Sequence, residues 1–127
     1  MKRFGLPGLS IKSYPMQLPN ASAAYVPLRK LTAYLLSDTH PVGKEKALFF
    51  QRIGFQKDQP EKLQEALLEV ARMGKVSNVV HTPYGTKYVV DGELRTPMSR
   101  SVRIRTVWII ESNKKNPLFV TAYPQTV

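Results

Sequence analysis

The chain has no cysteine, which rules out disulfide frameworks, cysteine-based zinc sites and thiol catalysis. It also lacks a long apolar run, and no segment approaches the roughly 20 residues that a membrane-spanning helix needs. Met1-Lys2-Arg3 opens like a signal peptide, but Gly5, Pro7, Gly8, Ser10 and Lys12 interrupt the stretch where its apolar core would sit. These absences predict a cytoplasmic protein, or one delivered to a target-cell cytoplasm by another module, with no membrane partner. Acids are scarce as well: 9 Asp and Glu stand against 19 Lys and Arg, a net charge of +10. Paired carboxylates beside a histidine, the raw material of two-metal nuclease chemistry, do not occur, so no metal site is expected. Walker loops, dinucleotide fingerprints and nucleophile elbows are missing too, and no cofactor is expected.

What is present is enough for one domain. A chain of 127 residues, 43% of them hydrophobic, can bury a single real core. Its basic excess favours polyanionic partners: RNA, DNA, an anionic surface or an acidic protein. The excess is local, since Arg95, Arg100, Arg103 and Arg105 follow one another with no acid between them.

Residues 1–26 hold Pro7, Pro15 and Pro19 without a helical period. They read as an extended arm, with a short strand near 10–14. Residues 27–127 read as one α+β domain. Pro27 suits the first position of a helix. Leu28, Leu31 and Leu35 follow at helical spacing, and the run ends at 37–41. A second helix is predicted from Lys44 to Ile53, with Ala47, Phe50 and Ile53 on one face and Gly54 as its stop. A third begins with Asp58 as N-cap and Pro60 in its first turn. Its stripe is Leu63, Leu67, Val70 and Ala71, and Gly74 closes it.

After Gly74 the period drops from near four to two. Strands are predicted at 75–82, 86–91, 101–111 and 118–123, with turns at Pro83-Tyr84-Gly85 and at 113–117 and a connection over 92–99. On the third strand Val102, Ile104, Thr106, Trp108 and Ile110 share one face, and Arg103, Arg105, Val107 and Ile109 the other. Short turns join antiparallel neighbours, so the expected fold class is α+β, with N-terminal helices packed on one face of a four-stranded antiparallel sheet.

Several positions carry potential chemistry. His40 precedes the second helix, and Lys44 and Lys46 fall in its first turn. Cations beside outward-facing N–H groups favour a bound phosphate, although a solvated helix end is the plain alternative. An imidazole there suits proton transfer. Arg103 and Arg105 offer guanidinium groups that can clamp phosphate and stabilise developing charge, unless they only solvate a sheet face. Tyr84 and Tyr88 flank Lys87, and Tyr123 ends the last strand. Aromatics interleaved with bases suit single-stranded RNA, but tyrosine in a strand is also ordinary core. His81 precedes the Tyr84 turn and has no fixed direction.

The motifs Leu18-Pro19-Asn20-Ala21, Tyr34-Leu35-Leu36, His40-Pro41, Lys46-Ala47, Tyr84-Gly85, Arg105-Thr106-Val107-Trp108-Ile109 and Val120-Thr121-Ala122-Tyr123-Pro124 occur in this order. Over residues 18–124 the chain resembles a domain-of-unknown-function family of short bacterial proteins. Its layout is similar to the fold shared by barnase, EndoU, colicin D and RelE ribonucleases. That resemblance implies a site of His, Lys, Arg, Thr or Tyr where helices meet sheet, and His40, Lys46, Arg105, Thr121 and Tyr123 are the matching positions. It implies metal-independent cleavage of RNA through a 2′,3′-cyclic phosphate. His40 would act as acid or base, Lys46 and Arg105 would hold the phosphate, and Thr121 would donate a hydrogen bond. Tyr88 or Tyr123 would stack a base or supply a proton. A toxin of this kind needs an acidic antitoxin or immunity protein. The alternatives are a non-catalytic nucleic-acid-binding module and a basic protein that docks an acidic partner.

Overall fold

A computed structural model describes residues 17–37 and 44–125. His40 and the strand expected near 10–14 lie outside the described residues. A 3-10 turn at Ala21–Ala23 leads into helix α1 (Leu28–Lys30), which continues as a π-turn over Leu31–Leu35. Helices α2 (Lys44–Arg52) and α3 (Pro60–Met73) follow. Strands β1 (Lys75–Thr82), β2 (Gly85–Arg95), β3 (Ser101–Glu111) and β4 (Leu118–Pro124) then form one sheet, each strand antiparallel to the next in sequence order. The fold is α+β, with the helices lying against the sheet.

The core lies between the helices and one sheet face. Leu63, Ala66, Leu67, Val70 and Ala71 form the buried stripe of α3, and Ala47 and Phe50 that of α2. Phe50 and the α3 stripe join Val90, Leu94, Ile104, Trp108, Phe119 and Ala122 from the sheet in one core. Trp108 packs edge-on to Phe119, with ring centroids 5.3 Å apart. The polar groups buried beside Trp108 are satisfied. The Trp108 Nε1–H donates to Thr106 Oγ1 at 2.8 Å, and that hydroxyl donates to the Val90 carbonyl at 2.8 Å. Such pairing is what a buried polar group requires.

Three details differ from the sequence expectation. Gln59, not Asp58, is the N-cap of α3, and no side chain caps it. Asp58 falls inside a turn closed by the Gln59 N–H on the Gln56 carbonyl, too early to reach the helix end. Gly74 does close α3, but in extended rather than left-handed conformation. Its requirement is space: a Cβ there would lie 2.7 Å from the carbonyl oxygens of Asp91 and Val70. β2 also runs straight through Gly92 to Arg95, because Gly92, Glu93, Leu94 and Arg95 all stay in register with β3. Gly92 acts there as a packing residue rather than a strand terminator, since a Cβ would lie 3.3 Å from the Gly74 Cα.

Residues 17–26 are extended only in part. Leu18 and Val26 are buried in the same core. Tyr25 makes an isolated parallel bridge to Leu118, its N–H donating to the Pro117 carbonyl at 3.0 Å. This segment leads the helices to the outer edge of β4.

Candidate active site

The site begins with the π-turn. Its signature is the Leu36 N–H donating to the Leu31 carbonyl at 2.7 Å, a bond across five residues. The widened turn lets Leu31, Leu35 and Leu36 all bury fully. Tyr34 is left half-buried at the margin of the core with its hydroxyl toward Thr121 of β4, and Ala33 is exposed. Such widened turns are often found at functional positions.

From α2, Lys46 reaches the same place. Its Nζ donates to Thr121 Oγ1 at 2.7 Å and to the Tyr34 hydroxyl at 3.0 Å. It lies 5.2 Å from the Tyr34 ring centroid and 5.6 Å from that of Tyr123. The Tyr34 and Thr121 hydroxyls are 3.5 Å apart. Lys30 joins from α1, donating to the Val120 carbonyl at 3.1 Å with its ammonium 5.9 Å from the Tyr34 ring centroid. Among the described residues no carboxylate pairs with Lys46 or Lys30. Their charge therefore stays available to an anion, in contact with hydroxyls and ring faces.

Strand alternation supplies the rest. Asp91, Arg105 and Tyr123 stand side by side across β2, β3 and β4, and Val107 pairs with Thr121 in the neighbouring row. All lie on the sheet face opposite the core. Arg105 is pinned: its Nε donates to Asp91 Oδ1 at 2.7 Å and its Nη2 to Oδ2 at 2.8 Å. Tyr123, its register partner on β4, stands beside it and adds to the rise of its pKa. The Asp91 hydrogen bonds come first among the causes that push the Arg105 pKa up, ahead of the opposing cost of burial. In return, Arg105 holds the Asp91 carboxyl below its ordinary range, against the penalty of burial and with help from Ser77. Gln125 donates to Asp91 at 3.3 Å and accepts from Arg103 at 3.3 Å, and Arg103 also pairs with Glu93 at 3.4 Å. Two of the five guanidinium donors of Arg105 are thus spent on a carboxylate. Its geometry is that of a support for Tyr123 rather than of a free phosphate clamp.

Tyr34 has the perturbed proton. Burial alone would push its phenol up. The hydrogen bonds from Lys46 and Thr121, with the charges of Lys46 and Lys30, outweigh burial and hold it below its ordinary value. A phenol whose conjugate base is stabilised by an adjacent ammonium is a better proton donor than a free tyrosine.

Of the residues picked out in the sequence, Lys46, Thr121, Tyr123 and Arg105 meet here. Lys44 is exposed at the start of α2. Lys87 shares the outer face but sits four residues along β2 from Asp91, about 13 Å away. Tyr84 is exposed in the β1–β2 turn beyond it. Tyr88 faces the other way, opposite Trp108 and packed against the core, so Tyr84, Lys87 and Tyr88 form no common platform. His81 sits on that same core-side face, its Nδ1 3.3 Å from Thr86 Oγ1. Sequence reasoning passed over Tyr34, Lys30 and Asp91 as site residues. The signal for Tyr34 was a polar aromatic lying off the Leu31–Leu35 stripe.

The architecture is that of an α+β protein whose helices are followed by a four-stranded antiparallel meander. The chain belongs to the family described as "Domain of unknown function (DUF6883)", which it matches over residues 17–126. No curated protein matches it in sequence. In three dimensions it is similar to a chain of the contact-dependent growth inhibition toxin–immunity protein complex from Klebsiella pneumoniae 342, with a TM-score of 0.65 and 14% identity over 85% of this chain and 98% of that one. At that identity the likeness is one of fold. Among the described residues no helix is long and apolar enough to cross a membrane.

Proposed function

We propose that the chain is a bacterial toxin domain that cleaves RNA without a metal ion, leaving a 2′,3′-cyclic phosphate and a free 5′-hydroxyl. The observation that carries this reading is the Lys46 ammonium, held by the Tyr34 and Thr121 hydroxyls with no acid against it among the described residues. A scissile phosphate placed there meets a fixed positive charge, a hydroxyl donor and a phenol with an activated proton. Charge that develops on the phosphoryl oxygens is stabilised by Lys46 and by Thr121 Oγ–H.

In the reaction the substrate's 2′-hydroxyl loses its proton to a base and attacks its own phosphorus. The P–O5′ bond breaks, and O5′ takes the Tyr34 proton. Lys46 stabilises the phenolate until solvent returns the proton. His40, four residues before α2 in sequence, is the candidate base. Arg105 acts by holding Tyr123, whose ring closes the far side of the Lys46 ammonium and offers a surface for a base. A binding module would need the same cations but not an acidified phenol, and Tyr34 therefore favours chemistry.

The similar chain comes from a complex of a toxin with its immunity protein. By analogy, this domain would enter a target-cell cytoplasm and be neutralised in its producer by an acidic protein that covers Lys46 and Arg105. The test is expression alone in a bacterium. The wild type should arrest growth and degrade RNA, and Lys46→Ala, folded to the same level, should do neither. Unimpaired growth with abundant, folded wild-type protein contradicts the reading.

A further inference from the structure

An open groove of about 790 Å³ leads away from the Lys46 cluster along the edge of β4. Tyr34 and Thr121 form its near wall. Arg29 and Lys30 stand along one side, and Ala33, Leu118 and Val120 give it an apolar floor. Arg29 is exposed, and among the described residues neither cation is matched by an acid. Lys30 and Lys46 approach the same Tyr34 ring, at 5.9 and 5.2 Å from its centroid, near enough to serve neighbouring phosphates of one strand.

We infer that this groove is the subsite for the nucleotide on the 3′ side of the cleaved bond, and that it takes single-stranded RNA. The inference rests on the ribonuclease reading and adds the direction of the strand. Tyr34 is shared by the cluster and the groove. If its hydroxyl protonates the departing 5′-oxygen, the nucleotide carrying that oxygen lies on the groove side of the ring. Its base and ribose cover the apolar floor, and its 3′-phosphate meets Arg29 and Lys30. An apolar floor flanked by cations is what an unpaired nucleotide needs, with a flat face to cover and a phosphate to neutralise. A duplex buries its base faces against one another and has no use for that floor.

The test compares the wild type with Arg29→Ala, Arg29→Ala/Lys30→Met and Ala33→Trp. Ala33 lines the groove and is exposed, so tryptophan there occupies it without disturbing the core. Binding is read by fluorescence anisotropy with an all-deoxy pentanucleotide, which cannot be cleaved because it lacks the attacking hydroxyl. Loss of two phosphate contacts should reduce the salt slope by about 1.4 and weaken binding roughly 10- to 30-fold at about 0.1 M salt. Arg29→Ala alone, which leaves the Lys30 bond to the Val120 carbonyl in place, should reduce the slope by about 0.7. In cleavage, with a single ribose fixing the cleaved bond and deoxynucleotides elsewhere, adding a third nucleotide on the 3′ side of a dinucleotide should lower KM for the wild type, but not for the double variant or Ala33→Trp. Adding it on the 5′ side should affect all four proteins alike. Equal binding by the wild type and the double variant overturns the groove assignment and leaves its cations to a protein partner. A retained 3′ gain in Ala33→Trp overturns it as well. If the variants bind less tightly while the wild type cleaves no RNA, the groove stands as a nucleic-acid site and the cleavage reading falls.

Discussion

The Lys46 ammonium lies 2.7 Å from the Thr121 hydroxyl, tying the start of α2 to the edge strand of the sheet across 75 positions of sequence. Removing the ammonium should cost activity more than stability, because Lys46 is only half-buried and bonds neutral hydroxyls. Lys46→Met should lower the cleavage rate roughly 10²–10³-fold and shift the melting temperature by only a few degrees. A variant of wild-type rate would remove Lys46 from the chemistry.

Tyr34→Phe tests the proton. A general acid must be protonated, so wild-type activity should decline on the alkaline side as pH rises through the Tyr34 pKa. That pKa lies below the ordinary 10.0 of a tyrosine, so the decline should begin below pH 10. Tyr34→Phe should be slower by roughly 10²-fold or more and should lack that limb. An unchanged alkaline limb would assign the proton to another group.

Asp91→Asn tests the pinning of Arg105. The folded-state pKa of Asp91 is depressed below 3.8, so the carboxylate contributes stability that is fully present above that value and is lost as pH falls through the folded pKa. The variant should be less stable than the wild type at pH 7 by about 1–2 kcal/mol, and the gap should close in strong acid. Urea melts at about pH 7 and pH 2 measure it. A gap that persists at low pH would trace the loss to packing instead. Activity should fall in parallel with Arg105→Ala, because both free Tyr123.

Thr106→Val addresses the core. The valine keeps the shape but leaves the Trp108 N–H without a partner, which should cost about 1–3 kcal/mol with the cleavage chemistry intact. Tryptophan fluorescence during denaturation reads the loss directly.

Much of the fold was legible because it rests on periodicity. The change from a four-residue to a two-residue rhythm at Gly74 marked where helices give way to strands, and Ile104, Thr106 and Trp108 showed which face of β3 is core. Gly92 misled because a glycine that ends a strand and one that admits a helix end look alike in sequence. The site was legible where a residue's own element fixes its direction, as for Thr121 and Tyr123 on β4 and Arg105 on β3. It was not legible where the partner depends on register. Asp91 neutralises Arg105 only because β2 and β3 align those two positions. Tyr34 faces β4 only because a π-turn, invisible in the residue pattern, lets three leucines face the core together.

The most direct test of the account is mass analysis of RNA ends after incubation with the purified chain in EDTA. The account predicts 2′,3′-cyclic phosphate and 5′-hydroxyl ends, formed at the same rate with and without the chelator, and their loss in Tyr34→Phe and Lys46→Met. Ends bearing a 5′-phosphate that vanish in EDTA, or RNA left intact by folded protein free of any bound partner, would contradict it.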